Sequence, residues 1–277
     1  MIIMQKKYQD KNWLQRKITE LGNMTAIGRL CDVSGDTIEY WRKKFNIQRN
    51  IIHRRKTSLD ENYFDLIDTE EKAYWLGFIM ADGSMEEFSG NRYCYRLTMI
   101  LKDSDNAHLV KMSKALSYDG EIKERTLEDK RGFTTYSSVL RITSKKMCSR
   151  LIELGIVSRK TGKEHIPKDI PESLVRHFIR GFFDGDGSIT KSSNGKFYRF
   201  KLGSASEKII IEIQKWLEDE IGTVNFYEDC HYRIPFYVLE SNKKDTCDKI
   251  YHLLYDDAKI YLDRKYERVK EAINLPL

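Results

Sequence analysis

Two twelve-residue segments of this 277-residue chain repeat one pattern. Residues 74–85 read YWLGFIMADGSM and residues 178–189 read FIRGFFDGDGSI. Each segment places apolar residues around a central glycine and then continues with a small residue, an aspartate and a glycine. The two aspartates, Asp82 and Asp186, are separated by roughly 100 residues, about the length of one compact domain. The repeat therefore predicts a duplicated domain.

Other features recur at a similar spacing and in the same order along the chain. The spacing drifts only as far as loops of different length would allow, so the duplication extends well beyond the two segments. The recurring pairs are Tyr95-Arg96 with Tyr198-Arg199, Gly120 with Gly222, and Arg159-Lys160 with Arg264-Lys265.

Both repeated segments are predicted to be helices. Asp68 with Glu71 resembles a capping box before the first, and Pro171 suits the first turn of the second. Small residues spaced by four give each helix a smooth stripe, so the two helices are expected to pack closer than the usual 8–10 Å. These predicted interface residues are Gly77, Ala81, Gly181 and Gly185.

The aspartates end these helices, where the macrodipole is negative and a carboxylate costs roughly 0.3–1 kcal/mol. If the helices pair along their stripes, Asp82 and Asp186 come together and repel each other. A hard divalent cation relieves that repulsion, and Mg²⁺ typically binds one or two carboxylates together with water and phosphate oxygens. The pattern therefore predicts a metal site.

The segments 75–83 and 179–187, WLGFIMADG and IRGFFDGDG, resemble the nine-residue signature of the LAGLIDADG homing endonucleases in their single-chain, two-motif form. The resemblance covers roughly residues 68–277. It implies an α+β fold of two pseudo-symmetric αββαββα halves, whose two antiparallel sheets form a saddle over DNA. The period-two alternation of RYCYRLTMI, FTTYSSVLRIT, KFYRFKLGS and TVNFYEDCHYRIPFYVLE suits such strands, with helices near residues 145–154 and 207–220.

The resemblance also implies roles for particular residues. Asp82 and Asp186 fall on the metal-binding acid of each motif, for Mg²⁺ with Mn²⁺ as a substitute. Lys160 and Lys265 fall on the lysines that assist the chemistry. The sixth motif position is Met80 in one half and Asp184 in the other. Asp184 is interpreted as a solvated residue or a neighbour of the metal ligands, with a role as a competing ligand as the alternative.

The segment before these halves resembles a helix-turn-helix. Ile27 and Leu30 share one predicted helical face, and Ile38 and Trp41 share another across the turn DVSG. A basic run without acids follows, from 41 to 57. The alternatives are a helical hairpin that only packs or dimerises and a solvated linker. The residues predicted to contact DNA here are Ser34, Thr37, Tyr40, Arg42, Lys43, Arg54 and Arg55.

Basic residues along the predicted strands are further candidates for DNA contacts. Arginine can pair with guanine, and either basic residue can bind phosphate or simply be solvated. These candidates are Arg92, Arg96, Lys123, Arg125, Arg141, Lys191, Lys196, Arg199 and Lys201.

Composition sets the remaining expectations. The five cysteines form no CxxC pair, so neither a zinc site nor a disulfide framework is predicted, and a reduced cytoplasmic location is expected. No segment suits a membrane span or a secretion signal. The net charge of +6 is compatible with nucleic acid. The predicted domains are a helix-turn-helix at 1–50, a basic linker at 51–67, and the two halves at 68–165 and 166–277.

The predicted function is a monomeric, Mg²⁺-dependent endonuclease that leaves short 3′ overhangs at a long site in double-stranded DNA. No protein partner is required, because one chain supplies both halves. A non-cleaving DNA-binding regulator and an intron RNA maturase are the alternatives with the same fold. An endonuclease inserted in an intein is not favoured, since no splicing residues are seen at either end.

Overall fold

In a computed structural model, the chain forms two compact units, Met1–Lys56 and Thr57–Leu277. Four predicted DNA contacts, Arg54, Arg55, Arg92 and Lys196, lie outside the described residues, as does part of the predicted linker. The structure describes residues 6–21, 23–48, 57–88, 94–129, 131–192, 195, 197–230 and 234–273.

The first unit is helical, with α1 (Lys11–Leu21), α2 (Met24–Leu30) and α3 (Gly35–Lys44) around a small apolar core. The Asn23 side chain caps α2, and the Ser34 hydroxyl accepts from the Thr37 amide to cap α3. The corner between α2 and α3 is tight. A Cβ on Gly28 would stand 2.5 Å from the Val33 carbonyl oxygen.

One prediction about this unit is wrong. Ile27 is buried, but Leu30 is 63% exposed and does not share its face. The chain leaves α2 directly after Leu30, and Asp32 adopts a φ of 53°, which turns the following residues away.

The first half of the second unit has the order αββαββα. It consists of α4 (Glu70–Asp82), β1 (Gly83–Phe88), β2 (Cys94–Lys102), α5 (Asn106–Ala115), β3 (Lys123–Glu128), β4 (Thr134–Thr143) and α6 (Lys145–Glu153). Its strands pair antiparallel in the order β1-β2-β4-β3.

The second half repeats that order and adds one helix. It consists of α7 (Glu172–Asp186), β5 (Gly187–Lys191), β6 (Tyr198–Ser204), α8 (Glu207–Ile221), β7 (Asn225–Glu228), β8 (Tyr237–Ser241), α9 (Lys244–Tyr255) and α10 (Asp263–Ile273). Its antiparallel sheet has the order β5-β6-β8-β7. The predicted α+β class with two antiparallel sheets is confirmed.

The start of α4 differs from the prediction. Thr69, not Asp68, is the N-cap, and its hydroxyl accepts from the Lys72 amide. Asp68 instead forms an ion pair with the Lys72 side chain at 2.8 Å. Pro171 directly precedes α7, where its missing N–H costs nothing.

The helices α4 and α7 pack against each other at the centre of the second unit. Every residue of α4 from Ala73 to Met80 is buried, which is typical of a helix enclosed on all sides. A Cβ on Gly77 would stand 2.0 Å from the Phe178 carbonyl oxygen, so the backbones are in direct contact. This packing brings the C-terminal ends of α4 and α7 together.

Candidate metal and nuclease site

Asp82 and Asp186 are the last residues of α4 and α7. The next residue in each half, Gly83 or Gly187, already belongs to a strand. A Cβ on Gly83 would stand 2.5 Å from the Ile79 carbonyl oxygen, so the helix-to-strand corner is closed to larger residues. The corner fixes where each helix ends, and therefore where each carboxylate lies.

The two carboxylates lie on either side of the contact between α4 and α7. A Cβ on Gly185 would stand 2.3 Å from the Ala81 Cβ and 3.4 Å from Asp82 Oδ2. Asp82 is half-buried, whereas Asp186 reaches solvent. The last turn of α7 therefore borders the Asp82 carboxylate directly.

Both carboxyl groups are less acidic than usual. Desolvation by the surrounding protein is the main reason that the pKa of Asp186 is raised to about 6, and the negative charge of Asp82 adds to the shift. Burial also raises the pKa of Asp82, although Lys265 and Lys160 oppose the shift. Each helix end therefore presents an acid whose ionisation is resisted by its surroundings, which is the condition that a bound cation relieves.

Two lysines lie beneath these acids and bind the ends of the helices. Lys160 Nζ donates to the carbonyl oxygens of Met80 and Ala81 at 2.7 and 2.6 Å. Lys265 Nζ donates to those of Phe183 and Gly187 at 2.5 and 2.6 Å. Positive charge at a helix C-terminus offsets the macrodipole. Each half thus brings its own lysine to its own motif helix.

The lysines differ in their surroundings. Lys265 is only 4% exposed, and burial lowers its pKa to about 8. Lys160 is half-buried, and burial lowers its pKa as well. At neutral pH, Lys265 is therefore closer than an ordinary lysine to exchanging a proton.

The donor set fits a hard divalent cation that is shared with a substrate. Within the described ranges, no group of three or more His, Cys, Asp or Glu residues is placed to hold a metal by itself. Asp82 and Asp186 supply two carboxylates, the number that Mg²⁺ typically takes from a protein when water and phosphate oxygens complete its shell.

Asp184 is not solvated, so that part of the interpretation is wrong. The residue is fully buried, and its carboxylate accepts from the Tyr74 hydroxyl, the Tyr255 hydroxyl and the Leu262 amide at 2.7, 2.6 and 2.7 Å. Burial raises the pKa of this group against those hydrogen bonds. Both of its oxygens are therefore occupied by hydrogen bonds inside the protein.

A buried arginine also escaped the sequence analysis. Arg180 is fully buried and donates to Glu70 Oε1 at 2.6 Å and to the carbonyl oxygens of Leu254 and Ile260 at 2.8 and 3.0 Å. The first half has the apolar residue Leu76 at this motif position. Two charged residues, Arg180 and Asp184, within an apolar helix could have indicated buried polar contacts. Their partners could not be identified, because they lie far away in the sequence.

A further ion pair crosses between the halves. Arg264 Nε donates to the buried carboxylate of Asp105 at 2.8 Å, directly beside Lys265 in the sequence. The pair connects the start of α10 to the start of α5 and therefore helps to fix α10 against the first half.

The described strand candidates fall into two groups. Arg96 lies 3.6 Å from Glu86, and Arg199 and Lys201 are half-exposed on the face of β6 opposite the core. Arg199 Nε is buried and has no hydrogen-bond partner among the described residues. The exposed candidates, which are free to reach outward, are Lys123, Arg125, Arg141 and Lys191.

In the first unit, the candidates differ in availability. Tyr40 is 60% exposed and Lys43 is exposed. Ser34 and Thr37 bond to each other at the start of α3. Arg42 is held by Glu39 and by the Ile47 carbonyl oxygen, so its guanidinium is committed within the unit.

Along the described part of the chain, no helix has the length and apolar character needed to cross a membrane.

Family comparisons agree with the duplication. A model described as a LAGLIDADG-like domain matches residues 173–254, and one described as a WhiA LAGLIDADG-like domain matches residues 71–142. Each match lies within one half, and together they cover more than half of the chain.

One curated protein and several solved structures are similar to the chain. Over 126 residues it is 31% identical to the replication factor C small subunit of Methanocaldococcus jannaschii, which covers 45% of the chain but only 6% of that protein. The homing endonuclease I-WcaI, solved bound to its DNA recognition sequence, is 13% identical with a TM-score of 0.52, covering 78% of this chain and 92% of its own.

Two other structures have lower TM-scores. I-GzeII in complex with its DNA target is 14% identical with a TM-score of 0.48, covering 72% of this chain and 87% of its own. I-DmoI in complex with DNA and Mn is 20% identical with a TM-score of 0.41, covering 66% of this chain and 96% of its own. The fold likeness rests on I-WcaI, which has the highest TM-score of these three.

The fold and the site define a class of protein in which two α+β halves of one chain meet along their motif helices and place an acid at each helix end. With a LAGLIDADG-like domain in each half, the chain belongs to the LAGLIDADG family.

Proposed function

We propose that this protein is a divalent-metal-dependent endonuclease that hydrolyses both strands of double-stranded DNA at a long recognition site and leaves short 3′ overhangs. The observation that carries the proposal is the meeting of Asp82 and Asp186 at the ends of two helices in backbone contact, each with a lysine beneath it. Carboxylates in this position are unfavourable unless a cation joins them.

Asp82 and Asp186 would hold Mg²⁺, or Mn²⁺ in its place, against the scissile phosphates. When bound, such an ion lowers the pKa of the attacking water and stabilises the entering and leaving oxygens. Lys160 and Lys265 would stabilise the developing negative charge or orient the water. Lys160 donates to two helix carbonyl oxygens and retains a third N–H, whereas Lys265 donates to three carbonyl oxygens and would have to release one to contact a ligand.

Binding of DNA is supported by the basic side chains of both sheets. Lys123, Arg125, Arg141 and Lys191 are exposed, and phosphate contacts of this kind supply most of the non-specific affinity for DNA. In the first unit, Tyr40 and Lys43 of α3 would extend those contacts as part of a helix-turn-helix. One chain supplies both halves, so the protein would act as a monomer. The scattered cysteines suit a reducing, cytoplasmic setting.

A second candidate is a DNA-binding regulator that does not cleave. The match of residues 71–142 to a WhiA LAGLIDADG-like domain favours it specifically. In such a protein, the acids of the two halves would have a structural role alone.

Cleavage of the DNA that flanks the gene, together with a randomised duplex library, separates the two candidates. Wild type should make site-specific double-strand breaks in Mg²⁺. Asp82→Asn and Asp186→Asn should each slow cleavage by about 100-fold or more while DNA binding persists. Tight binding by wild type with no cut in either Mg²⁺ or Mn²⁺ would exclude the nuclease and favour the regulator, and a preference for intron RNA would indicate a maturase.

A further inference from the structure

We propose that Asp184 is a positioning residue that holds Lys265 against the last turn of α7, and that the first half has no equivalent of it. The two halves of the site would then secure their lysines differently, and each strand of DNA would depend on a different arrangement. The consequence for cleavage rests on the proposed nuclease function, whereas the positioning itself does not.

The contacts form a short path from Asp184 to Lys265. Asp184 Oδ2 accepts from the Leu262 amide at 2.7 Å. The Leu262 carbonyl oxygen accepts from the amides of Lys265 and Tyr266 at 2.9 and 3.0 Å, so Leu262 begins the first turn of α10. Asp184 therefore fixes the start of α10 to the helix that carries Asp186.

Two buried tyrosines hold the carboxylate in place. Tyr255 donates to Oδ1 from α9, and Tyr74 donates to Oδ2 from α4. The Tyr74 hydroxyl also lies 3.0 Å from Nε2 of the buried His108. One fully buried carboxylate thus joins four helices. The Tyr255 hydroxyl and the Leu262 amide have no other acceptor among the described residues, and a buried donor without an acceptor costs about 1–3 kcal/mol.

The first half is built differently at the matching position. Met80 occupies the sixth motif position and is packed among apolar residues. Lys160 lies in a turn rather than a helix, where the Lys163 amide donates to the Lys160 carbonyl oxygen, and the preceding Arg159 has a φ of 53°. Lys160 is also more exposed than Lys265.

This difference between the halves predicts that substitutions of Asp184 slow the cleavage of only one DNA strand. Loosening the start of α10 would displace Lys265 and leave Lys160 on Met80 and Ala81. Only the strand served by Lys265 should then be cut more slowly, and nicked DNA should accumulate. A general loss of stability would instead slow both strands together, so strand-resolved rates distinguish positioning from folding.

The variants follow from the contacts. Asp184→Asn keeps the size of the side chain but replaces one carboxylate oxygen with an amide nitrogen. This leaves either the Tyr255 hydroxyl, or both the Tyr74 hydroxyl and the Leu262 amide, without their acceptor. Asp184→Met copies the residue of the first half. Tyr255→Phe removes a single hydrogen bond in case the Asp184 variants do not fold. Tyr251→Phe is the matched control, because this buried hydroxyl lies on the same helix and has no hydrogen-bond partner among the described residues.

The first measurement needs neither metal nor DNA. The wild-type and variant chains are compared by two rates: the hydrogen exchange of the amides of residues 262–266, and the modification of Lys265 by a reductive methylation reagent. Asp184→Asn and Tyr255→Phe should each raise the amide exchange rate at 262–266 and the methylation rate of Lys265 by about tenfold. The methylation rate of Lys160 should not change, and Tyr251→Phe should behave as wild type. Equal protection in all variants would overturn the proposal, whether or not the protein cleaves DNA.

The second measurement follows the two strands of a duplex labelled at each end. Asp184→Asn should slow the same strand that Lys265→Met slows and leave the other strand within about twofold of wild type. Equal slowing of both strands would also overturn the proposal. If wild type cuts neither strand, the nuclease function fails and the exchange and methylation rates alone decide the positioning role.

Discussion

A Cβ built on Gly181 stands 2.0 Å from the carbonyl oxygen of Tyr74. The same distance separates a Cβ on Gly77 from the Phe178 carbonyl oxygen, so the contact is repeated by the pseudo-symmetry. Both neighbours are backbone atoms, which no side-chain rotation can move aside. The separation of α4 and α7, and with it the placement of Asp82 and Asp186, is therefore set by the absence of two side chains.

Gly77→Ala and Gly181→Ala should each destabilise the protein by about 1–3 kcal/mol, because overpacking forces the helices apart. Alanine in a helix is otherwise favoured over glycine by about 1 kcal/mol. The sign of the change in the free energy of unfolding, measured by urea denaturation, is therefore diagnostic. A stabilised variant would mean that the helices are not in backbone contact.

The stability of the protein should depend on pH through Asp186. Its pKa is raised from 3.8 to about 6 in the folded state, so the folded protein holds a proton that the unfolded chain releases earlier. The free energy of unfolding should therefore fall as pH rises from about 4 to 6, and the cost should be fully present above pH 6.

Asp186→Asn removes the titration of this carboxyl group. The melting temperatures should be similar near pH 4, and the variant should melt higher at pH 7. Mg²⁺ should narrow or reverse the gap at pH 7 by stabilising only the wild type. A difference that stays constant across this range would contradict the raised pKa.

The buried pair of Glu70 and Arg180 should be important for stability. Glu70→Gln removes the charge that faces a fully buried guanidinium and should destabilise by about 3 kcal/mol, as for other buried pairs that lose one partner. Glu71→Gln, at an exposed neighbouring position, should stay within about 0.5 kcal/mol of wild type, because the amide oxygen can still accept from the Tyr63 hydroxyl. Chemical denaturation of the two variants tests this, and equal stabilities would show that Arg180 finds another partner.

DNA affinity should depend on salt through the exposed strand residues. Arg125→Gln should lower the slope of log affinity against log salt concentration by about 1, because one phosphate contact is lost. Lys215→Gln is the control, since this exposed residue lies on α8, which packs against the second sheet from its core side. Fluorescence anisotropy at several salt concentrations gives both slopes, and equal slopes would place Arg125 outside the interface.

Much of the fold follows from local patterns in the sequence. The strand β6 alternates between buried and half-exposed residues because one of its faces covers the core, whereas β4 has four consecutive buried residues at 137–140. All six residues of β3, Lys123–Glu128, are exposed at the edge of the sheet, so this strand has no alternation to detect. The repeat also indicated the paired helices, because only small residues at spacing four allow such close packing.

The interior of the site could not be predicted in the same way. The letters of the second motif show an acid at Asp184, but its partners Tyr74 and Leu262 lie in distant segments, and neither segment carries a pattern that points to the other. The same holds for Arg180 with Glu70. Lys265 could be aligned with Lys160 from the repeat, yet its burial depends on tertiary contacts that pattern and propensity do not encode.

The two sheets come from separate stretches of one chain, and their outward residues differ. A homodimer would have to present the same residues twice, and its ligand would share that symmetry. Here a substitution on one sheet leaves the residues of the other sheet unchanged. Gly77 and Gly181 cannot be substituted in this way, because each lies against the backbone of the other half. A chimera that borrows the strands of one half from a relative, and retains α4 and α7 unchanged, would therefore be a practical route to asymmetric targets.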